Sequence, residues 1–525
     1  MNNLVSRHSL AVPFDDGNFI LFNGLYGAID VIDQQTADII RDAQQSDTAP
    51  RGLDEEMRER LIRRGHLIER QTEVDDLKIL SRMTLHMHDQ NYVSLIIMPT
   101  YNCNFRCTYC TERHRLTHGQ AWLERVMSPK MIDAIFKQLK TYRAKGKKVK
   151  SCTLFGGEPL LASNIDTVRN ICEHCREMEM PISAITNGYD LEHYLDLIDE
   201  FKFTFLQITL DGVGKMHDRR RPAIDGGSSY ERVMKNVGLA LDRGIKISLR
   251  INVDRQNIND LGSLIEEFKA HGFTDKPNFS YYCKAVLSGT SPNPADELTD
   301  IDVFEKLKEL GFDEREAINL DSVHHSCQRS LKDILNQKRY PPLRASHCGA
   351  EGGMCVLDAS GNIYTCWDMV GKEYQTVGQV DEARGRFNFD LDIVKWRTRR
   401  VHNIEPCRYC AYVMQCGGGC ASLAYNHYGT IMKGNCDVFK EAFDHVLPIA
   451  CREAWSEAQS PEMSRSWREL LSRIDENDRQ TLLKTSNPQQ TLDIWKTVAT
   501  VKELIGGGDY EGLGIDRRGK DARQI

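Results

Sequence analysis

Between Tyr92 and Val286, six β-rich runs alternate with helical patterns, and this alternation limits the possible folds more than any other feature of the chain. The runs are Tyr92–Met98, Val149–Phe155, Pro181–Thr186, Phe203–Leu210, Lys246–Val253 and Asn278–Val286. The clearest helix between them opens at Ser128-Pro129, a cap followed by a first-turn proline. It carries an apolar stripe at Met131, Ile132, Ile135 and Leu139. Repeated βα units predict a parallel sheet with right-handed crossovers and helices outside it. Six units predict an α/β fold, a partial (β/α)6 TIM-like barrel rather than the closed eight-unit form. Ligands of such sheets bind at the C-terminal ends of the strands, so the loops that follow the strands are where chemistry is expected.

The first of these loops holds Cys103-Asn104-Phe105-Arg106-Cys107-Thr108-Tyr109-Cys110. Three thiolates so close together can wrap one soft metal centre, an iron–sulfur cluster or zinc. With three protein ligands, one iron of a four-iron cluster stays open to a substrate; a partial zinc site is the other reading. After the second strand comes Phe155-Gly156-Gly157-Glu158-Pro159, where two glycines allow close backbone approach and Glu158 can accept from an ammonium. Thr186-Asn187-Gly188 follows the third strand. Thr209-Leu210-Asp211-Gly212 follows the fourth, and then His217-Asp218 and the run Arg219-Arg220-Arg221, which is expected to be a solvated face.

A second cysteine-dense block covers 346–436: Cys348, Cys355, Cys366, then Cys407-x2-Cys410-x5-Cys416-x3-Cys420, and Cys436. Eight cysteines can ligate two cubane clusters, and paired cysteine knuckles also make structural zinc sites. The chain has 17 cysteines in all. Residues 1–20 lack the layout of a secretory signal, so a cytoplasmic location is expected, where disulfides rarely persist. Metal or redox chemistry is therefore the expected use of the thiols. Cys152, on a strand, and Cys172-x2-Cys175, on an amphipathic helix pattern, are expected to pack as small hydrophobes. A net charge of −7 gives no positive field for nucleic acid or anionic membrane, and the longest apolar stretch, Tyr92–Met98, is too short to span a bilayer.

Taken in order, the CxxxCxxC loop with an aromatic before its third cysteine, then GGEP, TNG and LDG…HD…R, resembles the radical SAM enzymes over about 92–286. The resemblance implies that Cys103, Cys107 and Cys110 hold a [4Fe-4S] cluster whose open iron chelates S-adenosylmethionine (SAM). It implies that Gly156, Gly157 and Glu158 meet the methionine ammonium. Thr209 and Arg221 would bind the ribose or carboxylate end, and Tyr109 would lie against the adenine. Reduction by an external donor such as flavodoxin or ferredoxin would then yield a 5′-deoxyadenosyl radical, the cofactor supplying the hard chemistry.

The layout Cys348-x12-Gly361-x4-Cys366, the cysteine run and Cys436 resembles the SPASM extension of radical SAM maturases. This implies auxiliary cluster I on Cys348, Cys355, Cys366 and Cys420, and auxiliary cluster II on Cys407, Cys410, Cys416 and Cys436, for three [4Fe-4S] clusters in total. In sulfatase-maturing relatives an aspartate directly after the third early cysteine takes the substrate proton. Here Trp367 intervenes, so Asp368 is a candidate general base displaced by one position, a departure that counts against formylglycine formation.

Near the N-terminus, Asn18–Asn23 and Gly27–Ile32 read as strands joined at Asn23-Gly24, a two-residue turn signal. A helix follows Asp33, a second runs from about Leu53 to Arg64, and Gly65–Ile68 reads as a turn and strand before a charged linker, Glu69 to Lys78. This order resembles the small winged-helix peptide-recognition element of peptide-modifying enzymes, which can take up a peptide as an extra strand. The domain expectation is a recognition domain at 1–88, the radical SAM core at 89–290 and a bridging helical region at 291–345. A SPASM domain at 346–450 follows, then a C-terminal extension at 451–525, helical to about Leu504 and ending in a tail. The functional expectation is a maturase that abstracts hydrogen from a precursor peptide with a leader segment and installs a thioether, C–C or C–O crosslink or a related modification. The alternatives are formylglycine formation on Cys or Ser, as in anaerobic sulfatase maturases, and a non-catalytic zinc-stabilised scaffold.

Overall fold

The computed structural model describes residues 3–25, 27–69, 92–286, 289–335, 344–372, 374–405, 407–436 and 438–458. These fall into two units, one drawn from 1–75, 327–342 and 444–525, the other from 76–326 and 343–443.

In the first unit, β1 (Asn3–Val5) pairs antiparallel with β5 (Leu67–Glu69), and β2 (Ser9–Pro13), β3 (Phe19–Asn23) and β4 (Ala28–Ile32) form an antiparallel sheet in that order. Helix Gln34–Ser46 starts where the Asp33 carboxylate accepts from Thr36 N (2.7 Å), and Glu55–Arg63 where Asp54 accepts from Met57 N (2.7 Å). Phe19 and Leu21, alternate residues of β3, pack with Ile32, Ala37, Ile40, Leu61 and Leu67 into one core. The two-residue turn expected at Asn23-Gly24 is corrected. Asn23 pairs with Ala28, so the connection is longer than two residues, and Gly27 before β4 is left-handed (φ 67°). Asn23 serves elsewhere: its Nδ2 donates to Ser9 Oγ (3.0 Å) and the Gly65 carbonyl (2.9 Å), fastening the sheet to the turn before β5.

The second unit contains all six expected strands: β6 (Tyr92–Ile97), β7 (Lys148–Leu154), β8 (Ile182–Thr186), β9 (Phe205–Thr209), β10 (Ile247–Val253) and β11 (Phe279–Ala285). They are parallel and adjacent in chain order. Helices Pro129–Ala144, Ile165–Glu177, Leu195–Phe201, Ser229–Asp242 and Leu261–Ala270 lie between them in sequence. The first is capped by Ser128 Oγ, which accepts from Met131 N (3.1 Å), and buries Met131, Ile132, Ile135 and Leu139. Cys152, Cys172 and Cys175 are fully buried.

The cysteine-dense block continues this sheet. β12 (Met354–Leu357) pairs parallel with β6, and β13 (Asn362–Tyr364), β14 (Gly378–Asp381) and β15 (Arg386–Phe389) follow antiparallel. The result is a ten-stranded sheet in the order β11-β10-β9-β8-β7-β6-β12-β13-β14-β15. Runs of three or four residues broken by glycines carry too little period-2 signal to be read as strands. The bridging region contains helices Asp300–Glu309, Glu314–Leu320 and Ser322–Leu335. A further helix, Phe439–Ala458, begins well before Cys451. The rest of the expected C-terminal helix and tail, and linker residues 70–78, lie outside the described residues. No helix among the described residues is long and apolar enough to cross a membrane.

Candidate active site

The cysteine loop after β6 is stitched to the loops that follow the next three strands. Glu158 N donates to the Asn102 carbonyl (2.8 Å), and Asn187 Nδ2 to Asn104 Oδ1 (2.7 Å). Arg106 N, Thr108 N and Ile224 N bond across to Pro222, Arg220 and Asn104. This closeness requires the two glycines. A Cβ on Gly157, which sits at φ +51°, would stand 2.3 Å from the Asn102 carbonyl oxygen, and one on Gly156 would overlap Met98. Gly157 N is held by Glu112 Oε2 (2.9 Å).

Glu158 is buried behind this turn. Its Oε1 accepts from the Thr186 hydroxyl (2.5 Å) and Leu160 N (2.9 Å), and its Oε2 from Asn187 N (2.7 Å). Burial pushes its carboxyl up to about 7 against those donors. A carboxylate has about four acceptor positions, and these three bonds leave one unused.

Cys103, Cys107 and Cys110 line a single cavity of about 390 Å³ with Phe105, Glu112 and Gly157. Cofactor pockets commonly measure roughly 300–1,000 Å³. Burial pushes the Cys103 and Cys107 thiols up, and the nearby Arg221 guanidinium draws Cys107 back down. Among the described residues, no three His, Cys, Asp or Glu side chains close on one metal ion. Three thiols around one shared cavity can hold a cluster that keeps one iron open.

Beneath the loop lies a buried polar cluster. The Tyr109 hydroxyl donates to Asp211 Oδ2 and accepts from Arg221 Nη1 (2.8 Å) and Asn252 Nδ2 (3.1 Å). Asp211 Oδ1 in turn accepts from Asn252 N (3.0 Å). Arg220 donates to both Asp254 oxygens (2.6 and 2.7 Å), with its guanidinium 5.0 Å from the Tyr109 ring centroid. The expectation that the arginine run is a solvated face is corrected: Arg220 and Arg221 are buried because Asp211, Asp254 and the Tyr109 hydroxyl receive them. Asn252 and Asp254 were legible only as polar residues at the C-terminal end of β10, where site residues gather. Thr209 ends β9, in register with Arg250 of β10.

The superfamily model for radical SAM proteins matches residues 97–268. This segment is a radical SAM domain. The chain is accordingly an enzyme, and the family uses SAM with a [4Fe-4S] cluster, which the three-thiol cavity fits. The chain is 23% identical over 372 residues to a cysteine-type anaerobic sulfatase-maturating enzyme of Clostridium novyi, covering 67% of this chain and 94% of that protein. It is 27% identical over 169 residues to the GTP 3′,8-cyclase of Campylobacter curvus but spans only 48% of that protein. Among solved structures, anSMEcpe with bound AdoMet and Cp18Cys peptide aligns with a TM-score of 0.53 at 18% identity, covering 70% of this chain and 99% of that one. At that identity the likeness is one of fold.

Beyond the radical SAM domain, the second set of cysteines divides by position. A Cβ at Gly434 would lie 2.4 Å from Cys407 Sγ, which puts the approach to Cys436 against Cys407. Burial raises the Cys407 thiol, with Cys436 and Cys410 adding to it. Burial raises Cys416 to about 11, with Cys407, Cys410 and Cys436 contributing. These four thiols are neighbours. Cys348, Cys366 and Cys420 form another group: burial raises Cys366, and Asp368, Cys348 and Cys420 add to the effect. The fully buried Arg399 draws their loops together, with Nη1 on Glu351, Nε on the Ile431 carbonyl (2.5 Å) and Nη2 on the carbonyls of Gly418 (3.2 Å) and Lys433 (3.1 Å).

Cys355, expected on auxiliary cluster I, has other surroundings. It is fixed on β12 opposite Leu95 of β6, and the charges facing it are Arg397 and Lys147. Asp368 stands beside Ser422; burial raises its carboxyl above the usual range, while Lys372 and Arg250 act against this.

Proposed function

We propose that this radical SAM enzyme is a peptide maturase that abstracts hydrogen from a ribosomally made precursor and installs a crosslink or related modification. The grouping of the cysteines carries the reading: three line the cavity at the first strand's loop, and two further sets lie between 348 and 436, off the strands that extend the sheet. Cys103, Cys107 and Cys110 would hold the SAM-binding cluster, with Cys407, Cys410, Cys416 and Cys436 on auxiliary cluster II and Cys348, Cys366 and Cys420 on auxiliary cluster I. When bound, the cluster and SAM supply a hydrogen-abstracting 5′-deoxyadenosyl radical.

The chain's own residues position and shield. The Gly156-Gly157 turn, bare of side chains, admits the ligand's ammonium to the remaining acceptor position of Glu158. Thr209 and Arg221 would meet the ribose or carboxylate end, and Tyr109, locked through its hydroxyl, would present its ring to the adenine. Asp368, whose carboxyl burial raises above the usual range, is the candidate proton acceptor. The sheet β2-β3-β4 has outer strands to which a leader segment could add, and flavodoxin or ferredoxin would supply electrons. The peptide-bound anSMEcpe structure supports a peptide partner.

The likeness to the C. novyi enzyme favours a second reading, formylglycine formation on Cys or Ser, whereas Trp367, between Cys366 and Asp368, weighs against it. The test is an anaerobic reaction with the peptide of a small open reading frame beside the gene, read by mass spectrometry. The expected result is a two-hydrogen loss on the full-length precursor and a sharp fall when its leader, or residues 1–88 of the enzyme, is removed. Equal turnover of a leaderless peptide would favour the sulfatase-type reading.

A further inference from the structure

Where β6 meets β12, a second cavity of about 120 Å³ opens. Its walls include Lys147, Arg397, Tyr92, Tyr142, Cys355 and Phe387, and it shares no lining residue with the cavity at Cys103. It is kept open by Gly353, where a Cβ would lie 2.3 Å from the Tyr92 carbonyl oxygen and 2.6 Å from its ring. A side chain at 353 would therefore displace Tyr92, one of the walls of this cavity.

The charges around this cavity do not balance. Lys147 and Arg397 are half-buried and close enough that Lys147 is set against the charge of Arg397. Among the described residues neither forms an ion pair with a carboxylate: Arg397 Nη1 reaches only the Ala350 carbonyl, at 3.4 Å, and the Lys147 ammonium stands 5.1 Å from the Tyr142 ring centroid. More cations gather alongside. Lys150 lies over the Tyr92 ring (3.5 Å), and Arg400 donates to the main-chain oxygens of Arg399 and Glu351. Glu351, which faces Arg400, is already taken by Arg399. The acids that do face the pair are the Cys355 thiol and the Tyr92 and Tyr142 phenols, groups whose ordinary pKa values lie above about 8. Partly buried cations are normally paired. Here two converge on one preformed space with only neutral groups between them. A guanidinium fork beside an ammonium, with phenol O–H donors in the wall, matches the acceptor geometry of a carboxylate or phosphate.

We propose that this cavity binds a small oxyanion between the Lys147 ammonium and the Arg397 guanidinium, across the junction of the barrel sheet with its cysteine-bearing extension. The site is independent of the functional reading above, because it uses none of the residues that reading assigns. It can be tested by titrating the full-length reconstituted enzyme with phosphate and, separately, acetate at constant ionic strength, with chloride as reference, followed by calorimetry. We expect saturable one-to-one binding of at least one of the two, which also tells phosphate from carboxylate. K147Q and R397Q should each weaken binding by about tenfold or more, and K147R, which keeps the charge, should retain most of it. Unchanged 5′-deoxyadenosine formation in these variants shows that they are folded. No saturable signal beyond chloride in the parent enzyme, or equal affinity in the K147Q/R397Q protein, overturns the proposal.

Discussion

Gly157 and Gly244 both sit at positive φ, yet replacing them should have different consequences. A Cβ on Gly157 meets the Asn102 carbonyl oxygen at 2.3 Å, whereas one on Gly244 meets nothing within 4 Å. Gly244→Ala should therefore cost about 1 kcal/mol of backbone strain and leave SAM affinity as it was. Gly157→Ala should push the cysteine loop off the turn and weaken SAM binding by about tenfold or more, a difference equilibrium dialysis would reveal. Cys355 offers a second contrast. Cys355→Ser should keep the parent's iron content, while Cys366→Ser should lose about four irons per chain; equal loss from both would return Cys355 to the ligand set. The first cysteine loop could be read from sequence because its three thiols and the GGE and TNG turns are local motifs. Cys355 could not, because its place is decided by a strand pairing with Leu95, 260 residues earlier. The buried arginines misled for the same reason: their partners Asp211, Asp254 and Tyr109 come from three separate loops.

At the level of elements, the small N-terminal unit depends on one buried ionic knot. Asp30 of β4 receives Arg60 (2.9 Å), Arg64 (2.7 Å) and His66 Nε2 (3.1 Å), while His66 Nδ1 meets Ser9 Oγ at 2.9 Å. A carboxylate only accepts, so His66 donates from Nε2 and accepts from Ser9 at Nδ1. This Ser–His–Asp chain is sealed in the interior and joins β2, β4 and the turn before β5; its role is structural. Burial works against the Asp30 carboxylate, but the hydrogen bond from His66 and then the charge and hydrogen bond of Arg64 hold its pKa far below the usual range. Its contribution is therefore complete above the unfolded carboxyl value of about 4 and is lost as the pH falls below that. Asp30→Asn should cost about 3–5 kcal/mol near neutrality and flatten the acid limb of the unit's stability, as thermal melts across pH would show. The helices here were legible from their caps and apolar stripes. β2 was not, since Ser-Leu-Ala-Val-Pro has too few alternations to announce a strand.

For the molecule as a whole, the βα alternation was enough to foresee six parallel strands, because that pattern repeats over nearly 200 residues. The four strands that continue the sheet from β6 were hidden in a segment whose cysteines and glycines obscure any period. Their pairing extends the sheet of the radical SAM domain into the segment that follows Cys348, while the thiols on which the chemistry depends stand in the loop after β6. Cys103, Cys107 and Cys110 are expected to form the iron site that engages SAM. The decisive experiment is anaerobic iron determination together with 5′-deoxyadenosine formation on the reconstituted, reduced enzyme and on the C103A/C107A/C110A variant. The variant should lose about four irons per chain, keep the remainder and form no 5′-deoxyadenosine. An unchanged iron content, or continued 5′-deoxyadenosine formation by the variant, would contradict this assignment.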